Sequence, residues 1–494
     1  STVQESSITA DAVSRRELLQ RSGALGLGAV AFGSGAMSRE AAAQSTPAAG
    51  KPGGELSLSV PSAPLRIDPA LAGSSTEYII LRACYNTLFR VTNDLELAPD
   101  LAEEWDVSDD GLTYTIKIRS GVMFHHGKEL AAEDVAYTYN RIIDEATASN
   151  GRALFEQVTS IEAPDATTIV FTLSTPNADL LYHMGSTFSN IVPSDVPVDD
   201  LSSGAVGTGP FKLDVYQPGS QLVLVKNPDY WEEGLPYLDK VNIVQIPEQN
   251  GQAAALMSGQ THIFHDVTPQ TVAQLEENAE VAVVEIPSPS FQPVCMRCDM
   301  PPFDKVEVRQ ALKYTVDREG IIEAVLLGKG TVGNDHQVST ISPFWVDTGT
   351  KTRDIDKAKE LLAAAGYPDG LDIELVASNE RPGLEQLVTI VQQLAAEAGF
   401  RITLKIVPWD VFVAEYNETA SFFASNWFGR ASIDESLYPY LHTGAGWNDE
   451  RYSNPEVDGL LEEGRATNDT EQRKEIYGRV QEIVADDGGQ LIAY

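Results

Sequence analysis

Residues 384–406 read LEQLVTIVQQLAAEAGFRITLKI, and two periodicities meet inside that stretch. Leu384, Leu387, Val388, Val391, Leu394 and Ala395 recur at helical spacing as one apolar stripe, which predicts a helix over 384–398 with one buried face. Gly399 stops it. Phe400, Ile402, Leu404 and Ile406 then alternate with Arg401, Thr403 and Lys405, the period of a strand. A helix running straight into a strand is α/β construction. Upstream, Asp354 caps a predicted helix over 354–365 that ends at Gly366. Val308, Leu312 and Val316, with Ala311 and Thr315 beside them, predict a helix over 305–327. Nearer the N-terminus the alternations dominate. Leu56, Leu58 and Val60 interleave with Ser57 and Ser59, and a second strand is expected at 112–118 after the turn Asp109-Asp110-Gly111. Further strands are expected at 167–173, 221–226 and 238–246.

The chain has 494 residues, which at about 100–200 residues per domain suggests two or three domains with sizeable cores. A hydrophobic share of 43% excludes disorder for the body of the chain. Charge is the unusual quantity: 35 Lys+Arg against 72 Asp+Glu, a net −37. Such a surface repels phosphate backbones and anionic lipid, so nucleic-acid and basic-patch membrane partners are excluded. It reads as a solvated acidic shell. Three cysteines, Cys84, Cys295 and Cys298, make no disulfide scaffold. Cys295-Met-Arg-Cys298 matches C-x-x-C, but it runs into Asp299-Met-Pro-Pro302 rather than a helix start, and no second pair completes a zinc ribbon.

Residues 1–43 read as an address. Arg15-Arg16 precede a Gly- and Ala-rich apolar run from about Gly23 to Met37, too short for a comfortable membrane span. Ala41-Ala42-Ala43 then offers small residues to a signal peptidase. This predicts a twin-arginine signal cleaved after Ala43, and with no Cys near that point no lipid anchor is implied. Residues 44–54 form a linker.

A search for catalytic chemistry finds no constellation. The histidines include His125-His126, His183, His262 and His265, with no H-E-x-x-H and no three-ligand zinc set. His262 and His265 sit on a predicted strand that puts their rings on opposite faces. No G-x-S-x-G elbow or phosphate loop occurs, and Gly207-Thr-Gly-Pro-Phe211 lacks the Lys and Ser/Thr of one. The expectation is no catalytic residue, no metal and no cofactor.

Several motifs occur in one order. Phe124-His-His-Gly-Lys-Glu-Leu-Ala-Ala-Glu-Asp-Val135 is followed by Gly207–Phe211 and then Asn227-Pro-Asp-Tyr-Trp231. Ala255–Gln260, Pro302–Leu312 with Val316-Asp-Arg318, and Ala358–Tyr367 complete the series. In this the chain resembles the peptide/nickel class of extracytoplasmic solute-binding proteins, family 5, with His126 where an acidic residue is usual. The resemblance implies an α/β, two-lobed periplasmic-binding-protein fold of the cluster C type, with an inserted subdomain in lobe I. It implies lobe I from 55–88 and 205–287, the insertion at 89–204, lobe II at 288–482, and a return to lobe I at 483–494, which is expected to be incomplete. It implies a periplasmic monomer that captures a small molecule by hinge closure and hands it to ABC permease subunits. The alternatives are an exported metallohydrolase and a binding protein serving a sensor or chaperone system.

The resemblance also implies site residues. Arg381-Pro382 falls where dipeptide-binding relatives grip the ligand carboxylate. Arg430, after Asn426-Trp427-Phe428-Gly429, stands where those relatives carry an Asp for the ligand ammonium. Arg297 replaces a frequent Asn. An ammonium is repelled by a guanidinium, and more so as water leaves the cleft, whereas carboxylates are gripped bidentately. The expected ligand therefore carries an anionic group. Trp427, Asn426, Phe428, Trp447 and Tyr78 are further candidate ligand contacts. The competing readings are that Arg430 pairs with Asp434 or Glu435 on a lobe surface and that Phe428 belongs to a core.

Overall fold

The structure is a computed structural model that describes residues 50–494 apart from 65, 94, 218–220 and 418. The signal-peptide expectation and most of the linker lie outside the described residues. Alternating Leu58 and Val60 lay β1 (Glu55–Val60) against α1 (Ser75–Cys84), whose Ser74 caps it with a reciprocal bond from Glu77. An antiparallel sheet follows: β2 (Ala102–Val107), β3 (Thr113–Ile118), β4 (Val158–Glu162) and β5 (Thr168–Leu173), in the order β2-β3-β5-β4, covered by α2 (Ala132–Ile143). The chain then returns beside β1 with β6 (Phe211–Gln217), β7 (Gln221–Lys226), β8 (Lys240–Gln245) and the short β9 (Ile263–Phe264). Together they make a five-stranded sheet, β9-β1-β8-β7-β6, in which β1 runs parallel to β8 with Leu58 opposite Ile243.

The second lobe is framed by another five-stranded sheet. It comprises β10 (Pro293–Met296), β11 (Leu371–Ser378), β12 (Phe400–Val407), β13 (Phe422–Ala424) and β14 (Gln490–Ile492), in the order β12-β11-β13-β10-β14. Around it pack α3 (Val306–Lys313), α4 (Arg318–Leu326), α5 (Ile355–Ala364) and α6 (Leu384–Ala396). A separate apolar cluster joins α7 (Ile433–Leu441), α8 (Pro455–Ala466) and α9 (Thr470–Asp487).

The expected helix over 305–327 is two. Val308, Leu312 and Val316 are all fully buried, as the stripe requires. But the Thr315 hydroxyl bonds back to the Leu312 carbonyl, and Asp317 accepts from Gly320 N–H at 3.1 Å as the cap of a new helix. The glycines of 207–211 are explained by close approach. A Cβ on Gly209 would lie 2.4 Å from the Cys84 carbonyl carbon, and one on Gly207 2.1 Å from its oxygen, so the loop passes flush against the end of α1. His262 accepts from Ser57 N–H at 2.9 Å and His265 pairs with Asp266 at 3.1 Å, flanking a strand of two residues.

Candidate functional site

Three segments of the second lobe and one helix of the first converge. The first segment is the stretch entering β10. Phe291 exchanges backbone bonds with Trp427, at 3.1 and 3.0 Å. Next to it, the Gln292 amide donates to the Pro382 carbonyl at 2.9 Å and to Asn426 Oδ1 at 3.0 Å, while its oxygen accepts from the Tyr494 hydroxyl at 2.6 Å. Gln292 thus ties the Arg381-Pro382 turn after β11 to the Asn426-Trp427 segment after β13.

Arg381 sits over Trp409, its guanidinium carbon 4.0 Å from the ring centre. Its Nε is buried without a hydrogen-bond partner, and no ion pair to it is formed among the described residues, Glu380 acting only through space. Burial pulls its pKa down, with Glu380 opposing. It remains a cation throughout the physiological range.

Arg430 is placed differently. Its Nη1 is 3.5 Å from Glu435 Oε1, and its guanidinium lies 4.6 Å from the Trp447 ring centre. Burial works against the charge, but Tyr440 and Glu435 more than offset it, so the pKa rises. The expected alternative partner is therefore the observed one, yet the pair is buried rather than on a lobe surface, since Glu435 is only 5% exposed. Trp427 stands edge-on to Tyr440 at 4.8 Å and 6.5 Å from Trp447, with its indole Nε1 buried and unpartnered. Phe428 is 41% exposed, so it is not a core residue. It meets Tyr78 of α1 edge-on at 6.4 Å, a contact made between the two lobes.

The structure thus gathers Arg430, Trp427, Phe428, Trp447 and Tyr78, and links Arg381 to Asn426 through Gln292. It does not bring Arg297 in. That side chain grips Asp299 with Nε and Nη2, both at 2.8 Å, two residues along its own chain. Gln292, Glu435 and Tyr440 were not singled out as site residues by sequence. Nothing local marks a Gln before a strand, and a Glu on an acidic helix start looks like any helix-dipole partner.

Cys295 lies in β10 and Cys298 just beyond, both free thiols. Burial pushes Cys298 up to about 12 and Cys295 well above its ordinary range, which leaves neither as a ready nucleophile.

Comparison with known proteins identifies the family and the fold. The family model described as bacterial extracellular solute-binding proteins, family 5 Middle, matches residues 96–449. The glutathione-binding protein GsiB of Escherichia coli strain K12 is 27% identical over 433 residues, spanning 85% of this chain and 84% of that protein. The peptide-binding DppA of Helicobacter pylori, solved with the peptide STSA, superposes with a TM-score of 0.81 at 26% identity, covering 90% of this chain and 92% of that one. AgaA of A. tumefaciens R10, solved with agropinic acid, also reaches 0.81 at 26% identity, over 89% and 91%. All three are named or titled as binding proteins, and the family is one of solute-binding proteins, which supports the receptor reading and not the hydrolase. The chain belongs to the family 5 extracellular solute-binding proteins, the ligand-capturing and non-catalytic components of ABC importers.

Proposed function

We propose that this protein captures a small peptide-like solute bearing one more carboxylate than ammonium and delivers it to an ABC permease. The observation that carries the reading is Arg381, a cation whose Nε is buried without a hydrogen-bond partner and which forms no ion pair among the described residues, its neighbour Glu380 acting on it only through space. The side chain is half-buried and its Nε is out of water with its N–H unused, so an anion seated there would meet a charged donor that the protein leaves unmatched, and that counter-charge is assigned to the ligand. Arg430 and Glu435 neutralise one another and offer a second carboxylate seat beside an ammonium seat. Trp427 Nε1 supplies a further unused donor, and Phe428 and Tyr78 an aromatic wall. Two carboxylates and one ammonium is the charge pattern of glutathione, which relatives are named for binding. The protein acts as an exported monomer, carried by the twin-arginine pathway on residues 1–43 and released without a lipid anchor. Lobe I comprises 55–88 and 205–287, with 89–204 inserted, and lobe II comprises 288–482; the expected return of 483–494 to lobe I is not made, because β14 pairs with β10 at the edge of the second lobe's sheet and buries Leu491 in that lobe's core.

Titration calorimetry with glutathione and a panel of dipeptides tests this. Arg381→Ala is expected to weaken binding of the preferred solute by about 10- to 100-fold, the worth of one charge-assisted hydrogen-bonded pair. Unchanged affinity in that variant, or a preference for ligands of net positive charge, refutes the assignment.

A further inference from the structure

The segment that follows the inserted sheet touches the helices of the second lobe through a buried ionic cluster. The loop Asn177–Asp179 and the one-turn helix Leu180–His183 reach across to α7, α8 and α9. Ala178 N–H donates to the Arg465 carbonyl at 2.8 Å. The Asp179 carboxylate accepts from Arg473 Nη2 at 2.7 Å and from Asp434 N–H, the second residue of α7, at 3.0 Å. Arg465 holds Asp434 with two bonds of 2.9 Å. His183 is fully buried, with Nδ1 3.1 Å from the Leu154 carbonyl and Nε2 3.3 Å from Asp434 Oδ2.

Two physical points follow. Charges this deep persist only while paired, so the contact is either whole or lost. And both neighbours of the His183 ring are acceptors: a carbonyl oxygen can only accept, and Asp434, gripped by Arg465, is ionised. A neutral imidazole has one N–H and would aim a lone pair at one of them, whereas an imidazolium gives an N–H to the carbonyl and a charge to Asp434, whose 3.3 Å approach is an ion-pair distance that leaves the buried Nε2 without a hydrogen-bond partner. The other charged groups around the ring are Asp179 on its own segment, Glu435 beside Asp434 on α7, Arg465 on α8, and Arg473 with Tyr477 on α9. Burial lowers the His183 pKa, but Asp434, Glu435 and Asp179 together raise it above the ordinary 6.5.

We propose that Asn177–His183 is a latch, with Asp179 and His183 as positioning residues. It clasps the inserted subdomain to α7–α9, and by seating the start of α7 it sets Glu435 against Arg430, so that closing the molecule and assembling the cleft's charge pair are one event, tightened by protonation of His183. Only the role of the Arg430–Glu435 pair rests on the function proposed above. The sign is fixed: a histidine whose pKa is raised by the contact supports it fully below about pH 6.5 and releases it as pH climbs through the raised value.

The test needs no ligand, so it is independent of whether glutathione binds. The full chain, His183→Gln and Asp179→Asn are compared by small-angle X-ray scattering and by amide hydrogen exchange of the peptide covering Ile433–Leu441, at about pH 6 and about pH 8.5. Once corrected for the chemical exchange rate, the unmodified protein is expected to exchange there at least about tenfold faster at the higher pH, with a larger radius of gyration. His183→Gln should lose that pH dependence, and Asp179→Asn should be expanded at both values. Equal protection and size across pH in the unmodified protein, or an unaltered pH response in His183→Gln, overturns the latch. If Asp179→Asn fails to fold by circular dichroism, the His183→Gln comparison decides alone.

Discussion

Buried ionisable side chains set the pH behaviour of this protein residue by residue. Glu450 is fully buried, with one carboxyl oxygen accepting from Gln490 at 3.0 Å. Burial, with help from Asp449, pushes its pKa up to about 8 against the pull of Gln490 and Lys313. Lys313, also fully buried, is brought down to about 8 by the same desolvation. Between pH 4.5 and 8 the folded protein holds the Glu450 proton more tightly than the unfolded chain does. Stability linked to it is therefore whole below 4.5 and is lost as pH rises towards 8. Glu450→Gln removes that slope. In urea unfolding it is expected to match the unmodified protein near pH 4.5 and to exceed it by at least about 1.4 kcal/mol near pH 8, the worth of one pKa unit. An equal offset at both pH values would count against the reading. None of this is legible in the sequence, where Asp449-Glu450 looks like any acidic pair in an acidic chain. The same limit held in the cleft. The motif order put Arg381, Arg430 and the aromatics forward, but that Arg297 is spent on Asp299 while Arg430 is matched by a buried Glu435 depends on side-chain directions that no spacing encodes.

At the scale of elements, α6 and β12 were readable because each buries one face and exposes the other. Leu384, Leu387, Val388, Val391 and Ala395 are all fully buried, and Phe400 and Ile402 are buried beside exposed Arg401. The break between α3 and α4 was not, since a stripe at helical spacing continues through Val316 while the helix stops at Lys313, the Thr315 hydroxyl turns back to Leu312, and Asp317 caps a new start. The signature segment Phe124–Val135 proves structural: Asp134 accepts from Ala131 N–H at 3.0 Å at the start of α2 and from Lys128 Nζ at 2.5 Å. Gly209 is a second structural motif residue. Any side chain there meets the backbone of Cys84 and Tyr85, at 2.4 and 2.6 Å, which cannot swing aside as a side chain would. Gly209→Ala is expected to destabilise by roughly 1–3 kcal/mol, the usual cost of overpacking. Thermal unfolding checks this, and a Tm within a degree of the unmodified protein would show that the loop yields.

For the whole molecule, a net charge of −37 means that the folded state works against its own repulsion. Screening relieves this, since the Debye length falls from about 30 Å at 0.01 M salt to about 10 Å at 0.1 M. The Tm at neutral pH is expected to rise by several degrees between those concentrations. A flat response would mean that the acidic groups are already balanced locally by pairs such as Arg401–Asp372, whose Nε–Oδ1 distance is 2.7 Å. No helix among the described residues is long and apolar enough to cross a membrane. By itself the sequence determined the α/β class, the main strands and helices, and the order of motifs that marks a solute-binding protein. These depend on hydrophobic period, caps and glycine, which act within a few residues. Only the tertiary structure decided which arginine lacks a partner, which carboxylates are buried, and how the inserted subdomain grips α7. Those outcomes turn on desolvation and on contacts such as His183–Asp434, made between groups far apart in the chain.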